Sequence, residues 1–294
     1  MPPTQASLGA RLFILLQHLM PQHLLSRLVY HLTRARTPAI RNTLIRSFVH
    51  SYQPDMSDAA QPDPLRYDSF NAFFTRALRA GARSLPADAH TIISPVDGAI
   101  SQIGVTRDSQ LLQAKGHEYS LAALLADREY LQAFRNASFA TLYLAPFNYH
   151  RIHMPLAGTL RAAWYVPGKL FSVNAVTAAA VPGLFARNER IVCIFEHAGC
   201  SFGLVLVGAL FVGSMATVWH GQITPRSPRR LLKLPLDASR SPLWLDKGAE
   251  MGRFNMGSTV IVLIPAELGG WLPDVAAGQA VRVGRPLGSL RVAP

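Results

Sequence analysis

Met256-Gly257-Ser258-Thr259 stands directly before the apolar run Val260 to Ile264. A glycine carbonyl here precedes a serine hydroxyl, the pairing a chain needs to cut itself. An activated Ser258 oxygen attacks the Gly257 carbonyl and turns the peptide bond into an ester. Glycine suits that position because it has no side chain to block the approach and tolerates unusual backbone geometry. β-Elimination of the ester leaves dehydroalanine at the new N-terminus. Tautomerisation and loss of ammonia then give a pyruvoyl group, so that the serine is consumed to make a ketone cofactor. Taken alone, Gly-Ser-Thr reads more simply as a strand entry or a turn.

Such chemistry needs more than the serine. A serine hydroxyl is a poor nucleophile without a base, and histidine, with a pKa near neutrality, is the usual one. A carboxylate behind the histidine fixes its tautomer and stabilises the imidazolium. The chain has ten histidines, and spacing does not choose among them. His150 and His153 are three apart, a spacing that binds metal on a helix. Tyr149 and Pro155 fit a strand or loop better, and no third ligand is apparent, so no metal site is expected. Asp97-Gly98 by itself is a turn signal. Neither Gly257-Ser258-Thr259 nor Gly213-Ser214-Met215 fits the G-x-S-x-G elbow of a serine hydrolase.

The wider context resolves the choice. Ser94-Pro95-Val96-Asp97-Gly98, Gln113-Ala114-Lys115-Gly116-His117 and Phe147 to Pro155 occur in that order. Tyr165-Val166-Pro167-Gly168, Leu170 to Asn174, Phe185 to Arg190 and Val212-Gly213-Ser214 follow, before Lys247 to Phe254 leads into the Gly-Ser-Thr site. From about residue 65 to the C-terminus, and more loosely through the N-terminal region, the chain resembles the phosphatidylserine decarboxylases, pyruvoyl-dependent enzymes of the prokaryotic type I. The resemblance implies a proenzyme cut between Gly257 and Ser258 into a β chain, 1–257, and an α chain, 258–294. It assigns Asp97, His153 and Ser258 as the self-cleavage triad, with His153 the base and Asp97 the orienting acid. His150 is implied as the proton donor in decarboxylation, and Ser172 as a substrate contact. The covalent pyruvoyl group from Ser258 forms a Schiff base with phosphatidylserine, and phosphatidylethanolamine and carbon dioxide are the products. Many members have Leu where this chain has Met256, a change of little consequence because the two are similar in volume.

The elements that must carry these residues follow from pattern. At 294 residues and 49% hydrophobic composition the chain can build a real core, as one large domain or two. Its charged fraction of 16% is low and its net charge is +12, which favours an anionic partner. The first fifty residues hold six arginines and no Asp, Glu or Lys. Apolar residues recur there at helical spacing: Leu12, Leu15, Leu16 and Leu19; Leu24, Leu25, Leu28, Val29 and Leu32; Ile40, Leu44, Ile45, Phe48 and Val49. Basic amphipathic helices of this kind lie in a bilayer interface, or form a hairpin packed on the protein's own core. The acid-free composition favours the membrane. No stretch approaches the roughly 20 apolar residues that span a bilayer. Gln17 and His18 interrupt Leu12 to Leu16 too early for a signal peptide. The expected location is peripheral, on the cytoplasmic side of the cell membrane. Cys193 and Cys200 are too few for a disulfide scaffold, and Cys193 reads as a buried strand residue.

The expected fold is α+β: N-terminal amphipathic helices, broken near Pro21 and Pro38, and then a β-rich barrel-like sandwich. Residues 1–65 form the membrane-binding region and 66–294 the catalytic domain. Ser69 caps a short helix carrying Phe70, Phe73, Phe74 and Leu78. Ala140 to Leu144, Ile191 to Phe195, Phe202 to Val207 and Thr259 to Ile264 read as strands. Leu121 to Phe134 is the main helical interruption, and Pro225 to Pro242 a mobile loop without assigned role. The expected partner is phosphatidylserine in anionic membranes, bound by an α/β heterodimer with room for further dimerisation. No nucleic-acid partner is expected, because no basic run is interleaved with aromatics. The rival reading is a non-enzymatic membrane-binding or carrier protein.

Overall fold

The computed structural model describes residues 8–114, 116–125, 127–211, 214–236 and 242–291. Lys115, Val212 and Gly213 of the sequence motifs, and residues 237–241 of the 225–242 segment, lie outside the described residues.

Three helices open the chain: α1 (Leu8–Leu19), α2 (Gln22–Thr33) and α3 (Pro38–Tyr52). Pro21 separates the first two, and Pro38 occupies the first turn of α3, where its missing N–H costs no hydrogen bond. The burial of α1 and α2 is inverted. Gln17, Gln22, Ser26 and Thr33 are buried, whereas Leu19 is 72% and Leu28 59% exposed. Gln17, the residue that breaks the apolar run, accepts from the Ser172 N–H and donates to Thr177 Oγ1. Gln22 accepts from the Leu170 N–H. Polar side chains therefore pin α1 and α2 to the body, and the leucines face outward.

α4 (Phe70–Phe74) is capped by Ser69, whose hydroxyl accepts from the Ala72 N–H at 3.1 Å. Its phenylalanines meet Ile45 and Phe48 of α3 in a second, aromatic core separate from the main one. This core spans the boundary placed at residue 65, and Met256 packs against it.

The body is β-rich, and the α+β expectation holds. The strands that position the site are β1 (Gly98–Val105), β2 (Ser138–Tyr143), β3 (Arg151–His153), β4 (Gly158–Val166), β5 (Arg190–His197), β6 (Cys200–Val207), β7 (Met215–Thr217), β8 (Glu250–Phe254) and β9 (Thr259–Ile264). In the nine-stranded antiparallel sheet the order runs β4, β5, β6, β9, β2, β1. β9 is central: Thr259 pairs with Val207 on one side and Tyr143 on the other. Val260 to Ile264 are all buried. A continuous apolar run is what a strand covered on both faces requires. A four-stranded sheet carries β7, β8 and β3.

Two details depart from the sequence reading. The sheets stay open among the described residues: the large one ends in the two-residue strands Leu232–Lys233 and Ala280–Val281, which do not pair with each other. The helix expected over 121–134 reaches only Leu121–Leu125. Beyond it the Asp127 carboxylate accepts from the Glu129 N–H, a local bond that competes with helix continuation, and the chain runs on in turns.

Candidate active site

Ser258 enters β9 at the centre of the large sheet, and its carbonyl accepts from the Leu144 N–H at 2.9 Å. The preceding loop is held from both sides. The Asn255 carbonyl accepts from Asn71 Nδ2 of α4, and Asn255 Nδ2 donates to Ser214 Oγ. Arg34 of α2's C-terminal end also donates to that hydroxyl. Met256 is anchored in the aromatic core. The Gly257–Ser258 bond thus lies between a rigid strand and a tethered loop.

Ser258 is 0% exposed, and its hydroxyl has no hydrogen-bond partner. His150, also 0% exposed, is the imidazole at this bond. Its Nδ1–H donates to the Asn148 carbonyl at 2.8 Å, so Nε2 carries the lone pair; that atom too is buried without a partner. A methyl placed on Gly257 would lie 3.3 Å from His150 Nε2 and 3.3 Å from the Leu144 carbonyl oxygen. The Phe74 ring covers the imidazole, with centroids 4.1 Å apart. Burial, assisted by the nearby Arg76 charge, pushes the His150 pKa down to about 3, against the pull of the Asn148 carbonyl. The ring is neutral at pH 7.

His153 is placed differently. It ends β3, its backbone N–H bonded to the Pro95 carbonyl. Its Nδ1–H donates to the Gly248 carbonyl at 2.7 Å, and Nε2 accepts from the Tyr149 hydroxyl at 3.0 Å. Burial lowers its pKa, opposed by the Gly248 carbonyl and the negative charges of Glu250 and Asp97. Asp97 makes no hydrogen bond to it. The Asp97 carboxylate instead receives the Val283 N–H at 2.8 Å and the Arg83 guanidinium. Arg83 in turn bridges to Asp58 at 2.6 Å. A cavity of about 490 Å³ opens beside Asp97, Asn148 and Tyr149.

The structure therefore brings Ser258, Gly257 and His150 together. It gathers Asp97, Tyr149 and His153 into a neighbouring cluster, without a hydrogen-bonded Asp97–His153–Ser258 relay. Ser172 lies beneath α1, tied through its N–H to Gln17. Sequence reasoning missed Tyr149, Arg83, Asn255 and Phe74. Tyr149 sits inside the quoted His150–His153 motif; nothing local in the sequence marks the pairing of Arg83 with Asp97.

Comparison with known proteins bears on the same residues. A family model described as phosphatidylserine decarboxylase matches residues 70–289, and one described as PSD matches residues 12–53. Curated proteins named phosphatidylserine decarboxylase proenzyme are similar along nearly the whole chain. The one from Pseudomonas fluorescens is 51% identical over 281 residues, covering 95% of this chain and 97% of that protein. The one from Methylococcus capsulatus is 49% identical over 287 residues, 97% and 99% of the two chains. The one from Bordetella pertussis is 50% identical over 279 residues, 94% of each.

Proposed function

The chain belongs to the phosphatidylserine decarboxylase family, and from that premise we propose that it is a proenzyme that cuts itself between Gly257 and Ser258 and then converts phosphatidylserine to phosphatidylethanolamine and carbon dioxide. The observation that carries this reading is the pair of buried, unpartnered polar atoms, Ser258 Oγ and His150 Nε2, beside the one bond that the cleavage must break. Leaving such a group unpaired costs about 1–3 kcal/mol, a cost retained where the group has work to do.

In the cutting step Ser258 Oγ forms a bond to the Gly257 carbonyl carbon as the peptide C–N bond breaks, and the amine takes a proton. Loss of the Ser258 α-proton then breaks the Cβ–O bond. Gly257 is left as a carboxylate and residue 258 as dehydroalanine. Water replaces the nitrogen, which departs as ammonia, and a pyruvoyl group remains. His153 is the base for the first step, oriented by Asp97, as the family resemblance implies. That role requires Asp97 to turn from Arg83 and replace the Gly248 carbonyl at His153 Nδ1–H, and His153 Nε2 to exchange Tyr149 for Ser258.

The pyruvoyl ketone supplies an electron sink for the carbon that loses the carboxylate. The residues around it fit that group: surroundings closed to solvent, one neutral imidazole, and a loop fixed at Asn255 and Met256. His150 is the proton donor. With its pKa pushed down to about 3 it is neutral before substrate arrives. The substrate's carboxylate raises that pKa, Nε2 takes up a proton, and the former α-carbon receives it once carbon dioxide has left. A low-dielectric pocket also disfavours the charged carboxylate relative to the neutral product.

In this reading the N-terminal helices hold the site against the cytoplasmic face of the membrane, as part of a peripheral protein. The supporting feature is their inverted burial, leucines outward and Gln17, Gln22 and Ser26 inward. Among the described residues no helix is long and apolar enough to cross a membrane. After the cut, β9 holds the 258–294 chain in place, because it is paired on both sides by strands of the 1–257 chain.

The test is Ser258→Ala, which should stay one chain and release no carbon dioxide from phosphatidylserine. His150→Ala should be cut but turn over about 10²–10⁴-fold more slowly. A Ser258→Ala protein that still cuts and decarboxylates would end the proposal; an uncut His150→Ala protein would move His150 into the cleavage step.

A further inference from the structure

A second cavity, of about 410 Å³, lies between α2 and residues 225–229. Arg27 of α2 and Arg226 and Arg229 of that segment line it, together with His23 and Ser26. None of the three arginines makes an ion pair among the described residues. The acid on the wall is Glu189. It is buried, accepts from the Tyr165 hydroxyl at 2.6 Å, and has its pKa raised by burial; against this single carboxyl the wall sets three guanidinium groups. His23 spends Nε2 on the Gly168 carbonyl, and burial and the Arg229 charge lower its pKa.

Ser26 supplies an independent sign of a ligand. It is 4% exposed, and its hydroxyl has no partner. A helical serine ordinarily returns its hydroxyl to the carbonyl one turn back, as Thr33 does to Val29 at 2.8 Å. Ser26 does not, and it borders the cavity.

The cavity is separate from the reaction centre. Ser258, His150, His153 and Asp97 are absent from its wall. Leu170 and Glu189 form its floor. Behind them stands Gly208, where a Cβ would meet the Glu189 carbonyl at 3.1 Å and Leu170 Cδ2 at 3.5 Å. Only beyond Gly208 comes Val207, the partner of Thr259. On the other side the cavity meets Leu24, 58% exposed, and the outward apolar face of α2. The occupant thus combines an anion with an apolar tail. Guanidinium forks match phosphate oxygens.

We propose that this cavity binds the phosphodiester of an anionic glycerophospholipid other than the molecule being decarboxylated, and so fixes how α1 and α2 sit on the bilayer. The anion chemistry stands on the cavity; its source in a lipid rests on the membrane reading above.

The full-length protein is tested for co-sedimentation with phosphatidylcholine vesicles with and without phosphatidylglycerol, which cannot be decarboxylated. Arg226→Gln/Arg229→Gln, which removes two charge-assisted contacts to one phosphate, should weaken binding to the phosphatidylglycerol vesicles on the order of a hundredfold. Arg11→Gln/Arg36→Gln, an equal loss of charge outside the cavity, should weaken it far less. Ser26→Ala, with no charge change, should weaken it about fivefold. All three should decarboxylate detergent-dispersed phosphatidylserine as the parent does. Equal losses in the two arginine pairs, or no loss in Ser26→Ala, would mean diffuse charge and overturn the site. Lost activity in detergent would make the cavity part of the substrate site, which also overturns it. So would vesicle binding untouched in the cavity pair while inorganic phosphate raises the melting temperature of the parent alone: the ligand would then be free phosphate. If the parent never decarboxylates but the cavity pair still controls vesicle binding, the enzyme reading fails and this one stands.

Discussion

His150 and Ser258 are the residues at which stability gives way to chemistry. An imidazole buried with a bare lone pair titrates against the fold. Its pKa, pushed down to about 3, lies below the unfolded value of 6.5. The unfolded chain therefore binds the proton first as pH falls. The stability contributed by the neutral ring is complete above pH 6.5 and is lost progressively between about 6.5 and about 3. Burial shifts His153 in the same direction. Between pH 7 and 4.5, denaturant unfolding should show a loss on the order of 2 kcal/mol attributable to His150. His150→Gln, which does not titrate, should flatten that part of the profile. An unchanged slope in the variant would mean that His150 is not held neutral by burial. The types of Gly257 and Ser258 allow the cut, but by themselves they read as a strand entry or turn, and the surrounding motifs chose between the two. His150, His153 and Asp97 needed the family resemblance, because a role among ten histidines depends on neighbours far away in sequence. The contacts that set those roles, Phe74 on His150 and Arg83 on Asp97, were illegible for the same reason.

At the level of elements, β1 delivers Asp97 and β9 delivers Ser258, with β2 between them. The spacing leaves no room for a side chain at Gly98, where a Cβ would run into the Tyr143 carbonyl of β2. Gly98→Ala should push β1 off β2, cost about 1–3 kcal/mol and slow self-cleavage as Asp97 moves. Melting temperature and the cut fraction on a denaturing gel measure both. A variant as stable and as fully cut as the parent would show that the strand spacing does not position the acid. Elements were the most legible scale. β9 and β5 announce themselves by the unbroken apolar runs Val260 to Ile264 and Ile191 to Phe195, and Pro21 and Pro38 punctuate the helices. The helix after Leu121 was overestimated because an Asp127 side-chain bond outweighs apolar periodicity. Strand order was not legible, since β9 joins partners whose pairing only the folded chain defines.

At the scale of the whole molecule, the proposed cut would not divide the protein. The 258–294 segment begins with the central strand of the large sheet, so breaking the bond at Gly257 leaves its register with β2 and β6 intact. α1 and α2 are tethered to the body by Gln17 and Gln22, with their leucines outward. A positive chain with an apolar outer helical face suits a substrate presented at an anionic surface. The measurement that reaches the central claim most directly is a denaturing intact-mass spectrum of the purified 32.1 kDa protein. Two species should appear, the smaller of about 4 kDa by average residue mass and lighter by one ammonia than simple hydrolysis at Gly257 would leave it. A single full-length species that nevertheless decarboxylates phosphatidylserine would contradict a cofactor made from Ser258.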